Sequence, residues 1–113
     1  MGQLFQVLRR LLISSGVVMM FATGIADARD PVAGKSRAAT CAICHGTPGV
    51  SRLPNAPHLA GQPAIYLVEQ LKNYRSGKRQ SEMMNVIANP LSDTEISDLA
   101  AWYESIVIEA REK

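Results

Sequence analysis

The chain holds two cysteines, Cys41 and Cys44, separated by two residues, and a histidine, His45, stands directly behind them. Side chains three apart on a helix lie on one side, about a turn from each other. Whatever these groups bind is therefore held at a single point of the chain, and the rest of the fold must form around that point. Composition makes the constraint sharper. Apolar residues make up 47% of the 113, but aromatics only 5%. A small domain with so little bulky side-chain volume needs something besides protein to fill its core. Charge is close to balanced, with 12 Lys+Arg against 10 Asp+Glu, which excludes a strongly basic nucleic-acid binder and an acidic disordered tail.

The first 28 residues read as an export signal. Arg9 and Arg10 supply the positive start, Leu11 to Ala22 is uncharged and short for a membrane span, and Ala26-Asp27-Ala28 has the small-x-small form of a cleavage point. The arginine pair lacks the polar and aromatic neighbours of a twin-arginine signal, so export of the unfolded chain is expected. An uncleaved anchor is the alternative, and only then would the protein contact a membrane. Cleavage after Ala28 removes 28 of 113 residues and leaves 85 as one domain, residues 29–113. Domains of that size are marginal on hydrophobic burial alone. Export also places the thiols where oxidation is possible.

Along the mature chain every periodic stretch reads as helix. Asp30-Pro31 starts the first, with Asp as cap and Pro at the first helical position. It should run from Val32 to about Cys44. Gly46 to Gln62 carries Pro48, Gly49, Pro54, Pro57 and Gly61, and no period survives that punctuation. A loop of this length in a small domain is expected to wrap something. Pro63 opens a second helix that closes at Gly77, with Ile65, Leu67, Val68, Leu71 and Tyr74 spaced by threes and fours. A short helix or turn spans Ser81 to Ala88 and carries Met83 and Met84. Ser92-Asp93-Thr94-Glu95 is a capping box, followed by an apolar stripe of Ile96, Leu99, Ala100, Tyr103, Ile106 and Val107. No stretch alternates with period two. The expected class is all-α.

Cys41-Ala42-Ile43-Cys44-His45 has the spacing of c-type haem attachment. Each thiol adds to one vinyl group on the same edge of a porphyrin, and the following imidazole reaches the iron from one face. Covalent attachment holds a cofactor that so small a protein could not enclose by packing alone. Three other readings compete. A Cys41–Cys44 disulfide suits an exported chain; a thioredoxin-like pair would need a strand before the motif; a zinc site would need two further ligands, and only His58 remains. The iron needs a second axial ligand or an open position, and Met83, Met84 and His58 are the candidates. The ordinary roles are a loop hydrogen bond for His58 and core filling for a methionine.

The sequence resembles the class I c-type cytochromes of the small bacterial periplasmic kind, and is similar to one half of the two-haem members. The resemblance runs from about Ala33 to Ile106. Beyond the haem string it rests on Pro54-Asn55-Ala56-Pro57-His58-Leu59-Ala60-Gly61-Gln62, Tyr66-Leu67, Gln70-Leu71, Gly77-Lys78-Arg79, Met84, Leu91-Ser92-Asp93 and Asp98-Leu99-Ala100-Ala101-Trp102-Tyr103. It implies a fold of three to five helices around one haem c bound through Cys41 and Cys44. It also implies His45 and Met84 as the iron ligands, since the family methionine stands seven residues before the Leu of Leu-Ser-Asp. Pro57, twelve residues after the histidine, then offers its carbonyl to the distal nitrogen of His45. The family's first helix presents glycine and an aromatic to the last. Here Gly34 is present, Arg37 and Ala38 replace the bulk, and Trp102 or Tyr103 is left to fill the gap. With one haem string, a single-haem carrier rather than a fused two-haem one is expected.

The implied function is a periplasmic carrier of single electrons between redox proteins such as an oxidase, reductase or dehydrogenase, with no catalysis and no small-molecule substrate of its own. The alternative is a cytochrome subunit of a periplasmic dehydrogenase. A haem sensor or small peroxidase would require an open iron position. Arg52, Lys72, Arg75, Lys78 and Arg79 could steer an acidic partner, although a solvated helix face is the commoner role for such charges.

Overall fold

The computed structural model describes residues 29–112. The expected export segment, residues 1–28, and its cleavage point near Ala28 lie outside them. Asp30 begins the first helix as expected: its side chain accepts from the Val32 amide at 2.8 Å, and Pro31 occupies the first helical position. Helix α1 (Pro31–Arg37) is followed by α2 (Ala39–His45). The single helix expected from Val32 to Cys44 is thus two segments broken at Ala38. The break is slight. Ala38 keeps helical dihedrals, and Ala42 N–H still reaches the Ala38 carbonyl at 2.9 Å. Gly46, at φ 75, ends α2.

Helix α3 (Ala64–Ser76) starts after Pro63 and stops at Gly77, whose left-handed backbone lets its N–H turn back to the Tyr74 carbonyl. Helix α4 (Glu82–Ala88) is capped by Ser81, and α5 (Asp93–Glu104) by the reciprocal Ser92–Glu95 box. The last stripe overreaches the helix. Val107 is 89% exposed, because Ser105 turns the chain: its hydroxyl donates to the Trp102 carbonyl at 2.6 Å. The neighbouring Tyr103 carbonyl instead accepts from Gly61 N–H at 2.8 Å. There is no strand among the described residues, and the fold is all-α.

Helix α5 is the axis of the molecule, with α1 and α3 packed on it and α4 packed on α3. The α1–α5 crossing is as close as two backbones allow. A Cβ on Gly34 would stand 2.0 Å from the Asp98 carbonyl oxygen and 2.9 Å from Trp102 Cβ. Trp102 packs at this crossing, and Lys35 lies over its ring at 5.3 Å. Buried Asp98 accepts from Asp30 N–H at 2.9 Å, tying the start of α1 to the same helix. The core is Ala38, Ala64, Leu67, Leu99, Ala100 and Tyr103, flanked by Cys41, Leu59, Val68, Leu91, Trp102 and Ile106. Half of its six buried residues are alanine.

Candidate functional site

Helix α2 carries Cys41 and Cys44 one turn apart, both half-buried and both free thiols. A disulfide is therefore not the arrangement adopted. No strand precedes the pair, and no three-residue metal cluster of His, Cys, Asp or Glu occurs among the described residues. Burial pushes the Cys41 thiol up, more than the Tyr103 hydroxyl beside it pulls it down. The same burial, with Cys41 adjacent, raises Tyr103 above the usual phenol range. The Tyr103 hydroxyl meets no hydrogen-bond partner; a sulfur neighbour is only a weak one.

His45 ends α2 and is buried. Its Nδ1 lies 2.8 Å from the Pro57 carbonyl oxygen. A carbonyl can only accept, so Nδ1 carries the proton and Nε2 keeps its lone pair. The loop that delivers Pro57 is anchored at several points. Leu59 and Ala60 N–H both reach the Gly49 carbonyl, at 2.8 and 3.1 Å. Gly49, at φ 101, lies against Tyr103, where a side chain would meet the ring at 2.7 Å. Gly49 and Tyr103 therefore anchor the loop that carries Pro57.

Ser51 is the site residue that the motifs did not single out. Buried in the loop, it sends its hydroxyl to the Cys44 carbonyl at 3.1 Å and accepts from Leu53 N–H at 3.0 Å. Its own N–H donates to His58 Nδ1 at 2.8 Å. A serine that bonds the backbone two residues ahead is a recognisable turn signal, but its tie to Cys44 is tertiary. His58 is exposed and engaged in that loop bond.

The two methionines of α4 differ in placement. Met83 is 60% exposed, whereas Met84 is half-buried in the first turn, with its N–H on the Ser81 hydroxyl at 3.2 Å. Three of the five basic residues considered for partner steering are used within the chain. Arg75 donates to Asp93 at 2.6 Å and to the Leu91 carbonyl at 2.8 Å, and Lys72 lies 3.5 Å from Asp93. Arg79 reaches Gln70 at 2.7 Å and covers the Tyr74 ring at 4.8 Å. They brace α3 against its neighbours.

Two free thiols one turn apart, an imidazole with a free Nε2 and a half-buried thioether are together a donor set that fits an iron porphyrin joined through sulfur. Comparison with known proteins agrees. A cytochrome c4 from Pseudomonas aeruginosa is 39% identical over 99 residues, covering 87% of this chain and 49% of that protein. Cytochrome c-554(548) from Halomonas halodenitrificans is 43% identical over 81 residues, 69% of this chain and 98% of its own. A thiosulfate dehydrogenase electron acceptor from Thiomonas intermedia is 39% identical over 71 residues, 61% of this chain and 32% of its own. The crystal structure of reduced cytochrome c4 from Pseudomonas stutzeri superposes with a TM-score of 0.67 at 37% identity, covering 71% of this chain and 47% of that one. The chain thus spans about half the length of the cytochrome c4 relatives and nearly all of the Halomonas protein. The cytochrome c profile matches residues 32–106, and its cofactor is covalent haem c. With fold, donor set and sequence in agreement, the chain belongs to the cytochrome c family.

Proposed function

We propose that this chain is a periplasmic carrier of single electrons, with haem c attached through Cys41 and Cys44 and iron ligated by His45 and Met84. Residues 1–28 are the export signal, removed near Ala28. Bound haem c supplies a reversible one-electron change at its iron. The observation that carries the reading is the 2.8 Å contact of His45 Nδ1 with the Pro57 carbonyl. It holds the proton on Nδ1, orients the ring and makes Nε2 the better donor. The chain contributes one nitrogen and one sulfur that stay in place in both oxidation states, so transfer demands little rearrangement. With His45 and Met84 both holding the iron, the chain would offer no open site to a small-molecule substrate, and it is not an enzyme. Its partners are other redox proteins and not nucleic acid.

A thioether ligand raises the potential relative to a second imidazole, and a half-buried Met84 suits that role better than exposed Met83. In the holoprotein made by a host with haem-attachment machinery, Met84→Ala should lower the reduction potential and admit carbon monoxide rapidly to the reduced iron. Met83→Ala should do neither. The opposite pattern would assign the sulfur to Met83. Mass spectrometry of the exported product should show one added haem and an N-terminus at Arg29; bare polypeptide would end the reading.

The second reading is a cytochrome subunit of a periplasmic dehydrogenase. It is favoured by the relative named as a thiosulfate dehydrogenase electron acceptor. Purification from the native periplasm separates the two, since a carrier elutes alone and a subunit with its catalytic chain.

A further inference from the structure

The segment carrying Met84 is tied down by one side chain that the proposed ligand set does not include. Asn85 follows Met84 in the first turn of α4 and spends its whole carboxamide on backbone. Its Nδ2 donates to the Tyr74 carbonyl at 2.6 Å and to the Arg79 carbonyl at 2.9 Å. Its Oδ1 accepts from Ser81 N–H at 2.7 Å. Ser81 returns the bond twice, its carbonyl accepting from Asn85 N–H at 3.0 Å and its hydroxyl from Met84 N–H at 3.2 Å. Met84 is therefore inside a closed ring of hydrogen bonds running from Ser81 to Asn85.

A helix of seven residues has too few internal bonds to hold itself, so its position depends on what it is fastened to. The fastening point is itself firm. Arg79 N–H reaches the Asn73 carbonyl at 3.0 Å, and the Arg79 guanidinium is held by Gln70 and lies over Tyr74. Asn85 thus joins the first turn of α4 both to the end of α3 and to the turn that follows it.

We propose that Asn85 is the positioning residue for the Met84 thioether, fixing the turn that presents the sulfur so that it resists displacement from the iron. This rests on the reading of Met84 as the sulfur ligand. An incoming ligand must first find the sulfur displaced, so its apparent affinity follows the population of that displaced state. Removing the carboxamide frees three hydrogen bonds that hold the turn, and the displaced state becomes more populated.

The test is imidazole binding to the oxidised holoprotein, read together with the sulfur-to-iron charge-transfer absorption and the reduction potential. Asn85→Ala should bind imidazole about tenfold more tightly or better, weaken the charge-transfer band and lower the potential. Glu104→Ala removes a different cap, the 2.8 Å bond from Ala64 N–H, and serves as a control for general loosening. An equal gain in imidazole affinity in that variant, or wild-type affinity in Asn85→Ala, would overturn the proposal. Should Asn85→Ala fail to accumulate, Asn85→Asp carries the same measurement, because it keeps an acceptor for Ser81 and loses both donations. Met84→Ala reports on the underlying reading separately: if it retains the sulfur band, Met84 is not the ligand, whatever Asn85 does.

Discussion

At the residue scale, the molecule is governed by places where an atom has no room to be anything else. Gly34 is the clearest. Alanine is the better helix former by about 1 kcal/mol, so in an isolated helix Gly34→Ala would stabilise. In the folded chain the new methyl would stand 2.0 Å from the Asp98 carbonyl oxygen and 2.5 Å from its carbon. These are backbone atoms of α5 and cannot swing aside, so the helices must part. Overpacking of that kind costs typically 1–3 kcal/mol, and more where backbone must move. The expected net loss is about 2 kcal/mol, a fall of about 10 °C in Tm for a domain this small. Thermal denaturation of the holoprotein checks it, and an unchanged Tm would mean that the crossing is looser than these distances imply. The same economy of space explains Gly49, which lets the loop lie flat against Tyr103 on its way to Pro57.

At the element scale, the start of α5 is held electrostatically as well as by its capping box. Arg75 first, and then Lys72, hold the Asp93 carboxyl below its ordinary 3.8. The Ser92 backbone and hydroxyl, with smaller help from Arg37, hold Glu95 below 4.5. Both groups have folded values under their unfolded ones. Their contribution is complete above the unfolded values and is lost as pH falls through the folded ones. Arg75→Gln should therefore lower Tm at about pH 6, and the gap from wild type should narrow toward about pH 2 as Asp93 protonates in both. A gap that is constant with pH would mean Arg75 acts through its bond to the Leu91 carbonyl instead. Asp93 is exposed, so the effect should be small and should shrink with salt. How much of this was legible beforehand follows from the range of each interaction. The helix starts at Pro31, Pro63 and Ser92 and the stop at Gly77 are decided by neighbours within four residues, and local pattern finds them. The cap on Ala64 comes from Glu104, forty residues away, and the carbonyl at the end of α5 is taken by Gly61. Nothing local announces either, which is why the stripe through Val107 suggested a longer last helix. The haem string was legible as a spacing and Pro57 through the family resemblance; the ties of Ser51 to Cys44 and of Asn85 to Tyr74 were not, since they reach seven and eleven residues along the chain.

At the scale of the whole molecule, the question is what lets so few bulky residues hold a fold together. Of the nine buried apolar residues among those described, five, Ala38, Ala60, Ala64, Ala88 and Ala100, are alanine. A buried leucine or isoleucine contributes about 2 kcal/mol, and each methylene fewer removes about 0.8. Ordering a residue's backbone costs about 1–2 kcal/mol, so a core of this kind leaves little margin. Meanwhile Ile43 and Val86 stand 79% and 70% exposed, apolar surface that protein does not cover. Small domains in this position depend on a bound group to complete the core. It follows that Cys41→Ser combined with Cys44→Ser, which leaves the helix caps intact but removes the attachment, should yield an exported chain that is largely unfolded. Far-ultraviolet circular dichroism should show most of the helix lost relative to the holoprotein, and hydrogen exchange should show α1 and α5 unprotected. A double variant that is compact, helical and cooperative in its melting, yet carries no pigment, would show that the alanine core and the Gly34 crossing suffice alone, and the cofactor would then be a passenger in the fold and not part of its core.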